Sequence, residues 1–222
     1  CTMNARTIFA GVLLAASAGC PAGVAELPSA TTTEGYIALL LINETPFPGE
    51  ASYRSEEDTK AGMMAVLAVV DNRLRRIPPG YRQEQVAGAR VTDIVDVITS
   101  GGERGQVDGF YRDARGRPAA ISRVTRRVEH LQNIARQGKP GRFARLLAYA
   151  RRLAEDYCSD PAAVRDGFTG IRRIPPHAVT GRGYAWMTDA GQFHPGGTFV
   201  LIPDALRGAR GGNRFFTLRR LQ

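Results

Sequence analysis

Hydrophobic and polar positions fall into distinct patterns along this chain. Residues Gly35 to Glu44 are apolar on nearly every side, and Thr31, Thr32, Thr33 and Glu34 precede them as cap material. This predicts a buried helix. Thr45 to Ser55 holds two prolines and a glycine and reads as a loop. Glu56, Glu57 and Asp58 suit the first turn of a second helix, where the dipole favours negative charge. That helix runs to about Arg76, before Pro78, Pro79 and Gly80. Thr92 is placed to cap a short helix from Asp93 to Thr99, and Gly101 to Pro118 reads as a long Gly-rich loop. Ser122 to Gln137 carries apolar residues at Val124, Val128, Leu131 and Ala135. Arg142 to Tyr157 repeats the pattern at Phe143, Leu146, Leu147, Ala150 and Leu153. Both stretches read as amphipathic helices with basic residues toward solvent. After Asp160 the periodicity fades, leaving Thr198 to Ile202 and Phe215 to Leu218 as candidate strands. The expected fold is mainly α, with an irregular C-terminal part that contains a few short strands.

The N-terminal segment follows a different pattern. From Met3 it shows a basic head at Arg6, an apolar run from Ile8 to Ala16, and the small residues Ser17, Ala18 and Gly19 before Cys20. That is the pattern of a secretory signal, and the run is too short for a permanent membrane span. Ser-Ala-Gly-Cys resembles a lipobox, in which Cys20 is acylated and anchors the protein in a membrane. Cleavage after Ala18 without lipidation is the other reading. Pro21 to Thr33 is small, polar and proline-containing, as a tether would be. The expected organisation is residues 1–19 as leader, 20–34 as tether and 35–222 as one domain. The expected location is the periplasm or, as a lipoprotein, the outer membrane.

Charge narrows the partners. The 222 residues include 30 Lys and Arg against 21 Asp and Glu, for a formal charge of +9. Such a balance suits an anionic polymer: nucleic acid, lipid headgroups or cell wall. Export argues against nucleic acid. The three histidines are widely separated and the three cysteines too few for a disulfide framework. No zinc pattern emerges, and no cofactor or metal is expected. A Cys20–Cys158 disulfide is an option if Cys20 is not acylated. The chain is expected to be a monomer.

One carboxylate stands out. On a helix reaching Glu44, Ile37, Leu40, Leu41 and Glu44 share a face. A carboxyl ending an apolar stripe is desolvated, which raises its pKa toward that of a general acid. An outward-turned Glu44 at a frayed helix end is the plainer alternative. Asp108 is the best candidate for a second carboxylate, although Asp-Gly more often marks a turn. Trp186, the only tryptophan, reads as core.

INETPFPGEAS, Ile42 to Ser52, resembles the signature of lysozyme-like soluble lytic transglycosylases, with Glu44, Thr45, Phe47, Ala51 and Ser52 in the matching places. GMMAVLAVVDNRL, Gly62 to Leu74, resembles the second helix of the SleB-type cell wall hydrolases, and the short helix at Val91 to Ile98 fits the same family. GGERGQVDGFYRD, Gly101 to Asp113, is similar to that family's Gln-aromatic loop, with Gln106 in the Gln place. The resemblance covers about Gly35 to Tyr157. It implies a lysozyme-like helical domain that cleaves peptidoglycan glycan strands between MurNAc and GlcNAc. Glu44 is then the catalytic acid. In SleB-type chains a Gly precedes the Glu, which makes Glu50, after Gly49, the alternative. Expected substrate contacts are Gln106, Asp108, Phe110, Tyr111, Tyr184 and His194. With no convincing partner for Glu44, the resemblance favours lytic transglycosylase chemistry over hydrolysis. A non-catalytic peptidoglycan-binding lipoprotein of the same fold is the competing expectation.

Overall fold

The computed structural model describes residues 26–102, 107–137, 141–188 and 195–221. Among the described residues, helix of all kinds accounts for about 45% and strand for about 14%. The expectation of a mainly helical architecture therefore stands, with more sheet than the pattern suggested. Among the described residues there are six α-helices: α1 (Thr33–Asn43), α2 (Glu56–Arg75), α3 (Gln83–Ala87), α4 (Ile94–Thr99), α5 (Ser122–Gln137) and α6 (Arg142–Ser159).

Helix α1 lies at the centre. Thr32 caps it by accepting from the Gly35 amide at 3.1 Å. Every residue from Gly35 to Ile42 is buried, because α1 packs most extensively on α6 and also against α5, α2 and α4. A helix enclosed on all sides has no polar face, which is why its sequence is apolar all round. It ends where Pro46 lacks the amide needed to continue the ladder. The Thr45 hydroxyl takes up the freed Leu41 carbonyl at 2.7 Å.

Helix α2 starts at the Ser55 cap, whose hydroxyl accepts from the Asp58 amide at 3.0 Å. Helices α5 and α6 place their apolar stripes on the core, as their periodicity predicts. The cap of α4 is Asp93 rather than Thr92. The Asp93 carboxylate accepts from the Asp96 amide at 2.7 Å, and Thr92 instead donates to Asp96.

The expected loop between Gly101 and Pro118 contains a strand, β1 (Phe110–Arg112), paired antiparallel with β2 (Pro118–Ala120). The C-terminal third holds β3 (Arg173–Ile174) against β4 (His177–Ala178). Beyond them come β5 (Ala185–Met187), β6 (Phe199–Leu201), β7 (Ala209–Arg210) and β8 (Asn213–Leu218). These last four form an antiparallel sheet in which β5 and β6 flank β8 and β7 also pairs with it.

The described part of the expected tether belongs to the domain. Leu27 and Ala30 pack on the core, and Arg151 donates to the Glu26 carbonyl at 3.2 Å. Cys20 lies outside the described residues. Cys158 is half-buried, and burial pushes its thiol up to about 11. No helix among the described residues is long and apolar enough to cross a membrane.

Candidate active site

Glu44 follows the last residue of α1 and opens into a cleft of about 540 Å³. Thr45, Glu50, Ser52, Asp108, Arg123, Arg127 and Trp186 share its walls. Glu44 is half-buried, and the desolvation of its carboxyl pushes its pKa up. The Trp186 indole N–H donates to Glu44 Oε2 at 2.8 Å and, with the Arg127 charge, partly opposes that rise. The backbone is fixed as well, because Asn213 donates to the Glu44 carbonyl at 2.6 Å.

The Asn-Arg pair of α2 explains how Trp186 comes to be there. Asn72 donates to the Gly183 carbonyl at 2.9 Å and to Asp166 Oδ2 at 2.6 Å. Arg73 donates through Nε to the Tyr184 carbonyl at 2.6 Å, and its guanidinium lies 5.5 Å from the Trp186 ring centroid. Burial pushes Arg73 down to about 10. Two adjacent side chains of α2 thus bracket the entry to β5 and hold its tryptophan over Glu44.

Glu50, the alternative acid, sits differently. Both of its oxygens face the Arg127 guanidinium at 2.7 and 2.8 Å, and the Phe47 amide donates to Oε2 at 2.7 Å. Arg127 also donates to the Thr45 carbonyl at 3.1 Å and to the Ile42 carbonyl. Glu50 and Arg127 together therefore clasp the C-terminal end of α1. Glu50 closes a turn beside the acid, with its lone pairs occupied.

Asp108 shares the cleft with Glu44, and its charge adds to the rise in the Glu44 pKa. It is exposed and paired with Arg123 at 2.5 Å. Comparison with protein families, with characterised proteins and with solved structures finds no match to this chain. The site therefore stands on its own geometry.

Of the expected substrate contacts, Asp108 alone among the described residues lines this cleft. Phe110 is fully buried, edge-on to Tyr36. Tyr111 is half-buried on β1, where its carbonyl accepts from the Tyr36 hydroxyl at 3.2 Å. Tyr184 is buried at 1% exposure, its hydroxyl donates to the Arg76 carbonyl at 2.6 Å, and its ring lines a separate cavity. Aromatic rings fill cores more readily than they line clefts, and composition alone does not separate the two uses. Gln106 and His194 lie outside the described residues. Phe47, expected beyond Glu44, is core, 6.2 Å from the Phe143 ring and under the Arg127 guanidinium. Trp186, Arg127 and Asn213 are the site residues that the sequence pattern missed. Among the described residues no cluster of three or more His, Cys, Asp or Glu is placed to hold a metal ion.

Proposed function

We propose that this chain cleaves the glycan strand of peptidoglycan between MurNAc and GlcNAc as a lytic transglycosylase, with Glu44 as its one acid–base residue. The supporting observation is a carboxyl whose burial favours the protonated form, held by no arginine, lining an open cleft and oriented by the Trp186 N–H. A raised pKa favours the proton-bearing form that a general acid needs, and general acid catalysis is worth roughly 10²–10⁴-fold.

The reaction follows from the single acid. Glu44 donates its proton to the glycosidic oxygen as the bond to the muramic acid C1 breaks. The muramic acid C6 hydroxyl then attacks C1 and returns its proton to the Glu44 carboxylate. The product ends in 1,6-anhydromuramic acid and no water is consumed. Hydrolysis by paired carboxylates needs a free second carboxylate across the ring. Asp108 and Glu50 are the other acids lining the cleft, and each is held by an arginine.

The reading carries a lysozyme-like helical domain, a central acid-bearing helix enclosed by others, to which the sequence resemblance points. It also carries export, with Cys20 as a lipid anchor when acylated. Mass spectrometry of fragments released from purified sacculi tests it. Anhydro ends are expected. Reducing muramic acid ends would make the enzyme a muramidase with Asp108 as partner. Firm binding without any fragments would leave a non-catalytic envelope lipoprotein.

A further inference from the structure

A second cavity lies apart from Glu44. It measures about 670 Å³ and is lined by Arg75, Arg76, Arg182 and Arg220 together with Ile77, Pro78, Pro79, Tyr184 and Leu221. No acidic side chain is among those lining it. Arg75 is committed elsewhere, bonded to Asp71 at 2.8 Å. The other three are not. Arg76 and Arg182 have no carboxylate partner among the described residues, and Arg220 uses only Nε, donating to the Val179 carbonyl at 3.0 Å. The Arg76 and Arg182 charges both reach the Tyr184 hydroxyl, where they oppose the burial that pushes it up to about 12. Three arginines without a carboxylate partner among the described residues therefore line one basin with apolar side chains.

That chemistry selects a ligand. Guanidiniums recognise carboxylates by paired hydrogen bonds, and apolar lining residues suit small aliphatic groups. The volume lies within the range of sites for discrete molecules, roughly 300–1,000 Å³. A membrane surface would instead be met by protruding apolar side chains. Of the exposed large hydrophobics Leu201, Leu206 and Leu221, only Leu221 belongs to this basin.

We infer that this basin is a second binding site, for a short acidic peptide with small apolar side chains. The peptide branches of peptidoglycan are of that class, an assignment that rests on the cell-wall reading above. The site would hold a branch of the polymer while the glycan lies in the Glu44 cleft. Tyr184 links the two places: its side chain lines the basin, and its carbonyl accepts from Arg73, the residue that supports Trp186.

Fluorescence anisotropy with a labelled, N-acylated stem tetrapeptide (Ala, γ-linked Glu, diaminopimelate, Ala) tests this on the full chain. Saturable binding that weakens as salt rises is expected. The triple variant Arg76→Gln, Arg182→Gln, Arg220→Gln should lose about tenfold or more in affinity, as losing several charge-assisted contacts implies. Its melting temperature should stay close to wild type. Arg182→Gln alone serves if the triple variant does not fold, and should weaken binding in the same direction. Glu44→Gln should bind the peptide unchanged. Cleavage of glycan stripped of its peptides should persist in the triple variant, so loss of peptide binding and loss of cleavage report on separate sites. No binding by the wild type, or equal binding by the arginine variants, overturns the proposal. Binding to phosphatidylglycerol vesicles in place of the peptide also overturns it, in favour of a lipid-facing surface.

Discussion

The Trp186 indole N–H lies 2.8 Å from Glu44 Oε2, joining residues 142 positions apart. This bond aims the carboxyl and tempers the rise that burial imposes on its pKa. Trp186→Phe keeps most of the ring and removes the donor. A hydrogen bond to a charged group is worth about 1.5–3 kcal/mol, so kcat should fall by roughly ten- to a hundredfold. The Glu44 pKa should rise further, which carries the alkaline limb of the pH–rate profile upward. A limb that stays in place or moves down would show that the N–H does not touch the acid.

Glu44→Gln should abolish fragment release while leaving the fold intact, because the amide keeps the shape and donates no transferable proton. Stability supplies an independent readout. The folded pKa is raised, so the stabilising effect of the neutral carboxyl is complete below the unfolded pKa. It is lost as pH rises through the folded value. Wild type and Glu44→Gln should therefore melt alike in acid, and the variant should become the more stable of the two as pH rises. Thermal melts from about pH 4 to pH 8 decide it. A wild type that gains on the variant as pH rises would mean that Glu44 is better satisfied as an anion.

Glu50→Gln should stay active with an unshifted pH profile and lose about 1 kcal/mol or less, the usual worth of an exposed ion pair. Arg127→Gln should cost more, because Arg127 also holds the Ile42 and Thr45 carbonyls at the end of α1. Loss of turnover in Glu50→Gln beside an active Glu44→Gln would exchange their roles.

Gly62→Ala reverses a familiar sign. Alanine in a helix interior normally gains about 1 kcal/mol over glycine. Here a Cβ would meet the Gly211 Cα at 2.6 Å, where α2 passes under the turn between β7 and β8. Gly211 has a φ of +54° and its amide bonds Asp58 at 3.1 Å, so that backbone resists moving. The substitution should cost about 1–3 kcal/mol, read by chemical denaturation. A stabilised variant would show that the contact relaxes freely.

The helical half of the fold is legible in the residues because its periodicity is strong. The Ser122 to Gln137 helix agrees with its expected range at both ends, since charged and apolar positions alternate at helical spacing along a half-exposed element. Glu44 is harder to read. Its helix is apolar all round, so its orientation depends on which neighbours enclose it. Strands such as Ala185–Met187 span three residues, too few to show alternation, and β-pairing is set by distant partners. The same distance hides Trp186 and Asn213. The trace of Trp186's placement is the Asn72–Arg73 pair, which looks like ordinary helix polarity until the carbonyls to which it donates are known. Phe110 and Tyr184 mislead for the opposite reason: an aromatic beside a glycine-rich loop suggests a cleft, and tertiary packing turned both inward.

The environment of Glu44 is assembled from opposite parts of the chain. Its helix closes through local contacts, whereas the Trp186 bond spans 142 residues and the Asn213 bond spans 169. Contacts of such separation form late, because their loop closure must be offset by structure already in place. Until β5 and β8 dock, Glu44 lacks both the Trp186 N–H that orients its carboxyl and the Asn213 side chain that fixes its carbonyl. On the proposed reading, the site is complete only once these long-range contacts are made, and a chain that has formed its helices alone does not yet carry it.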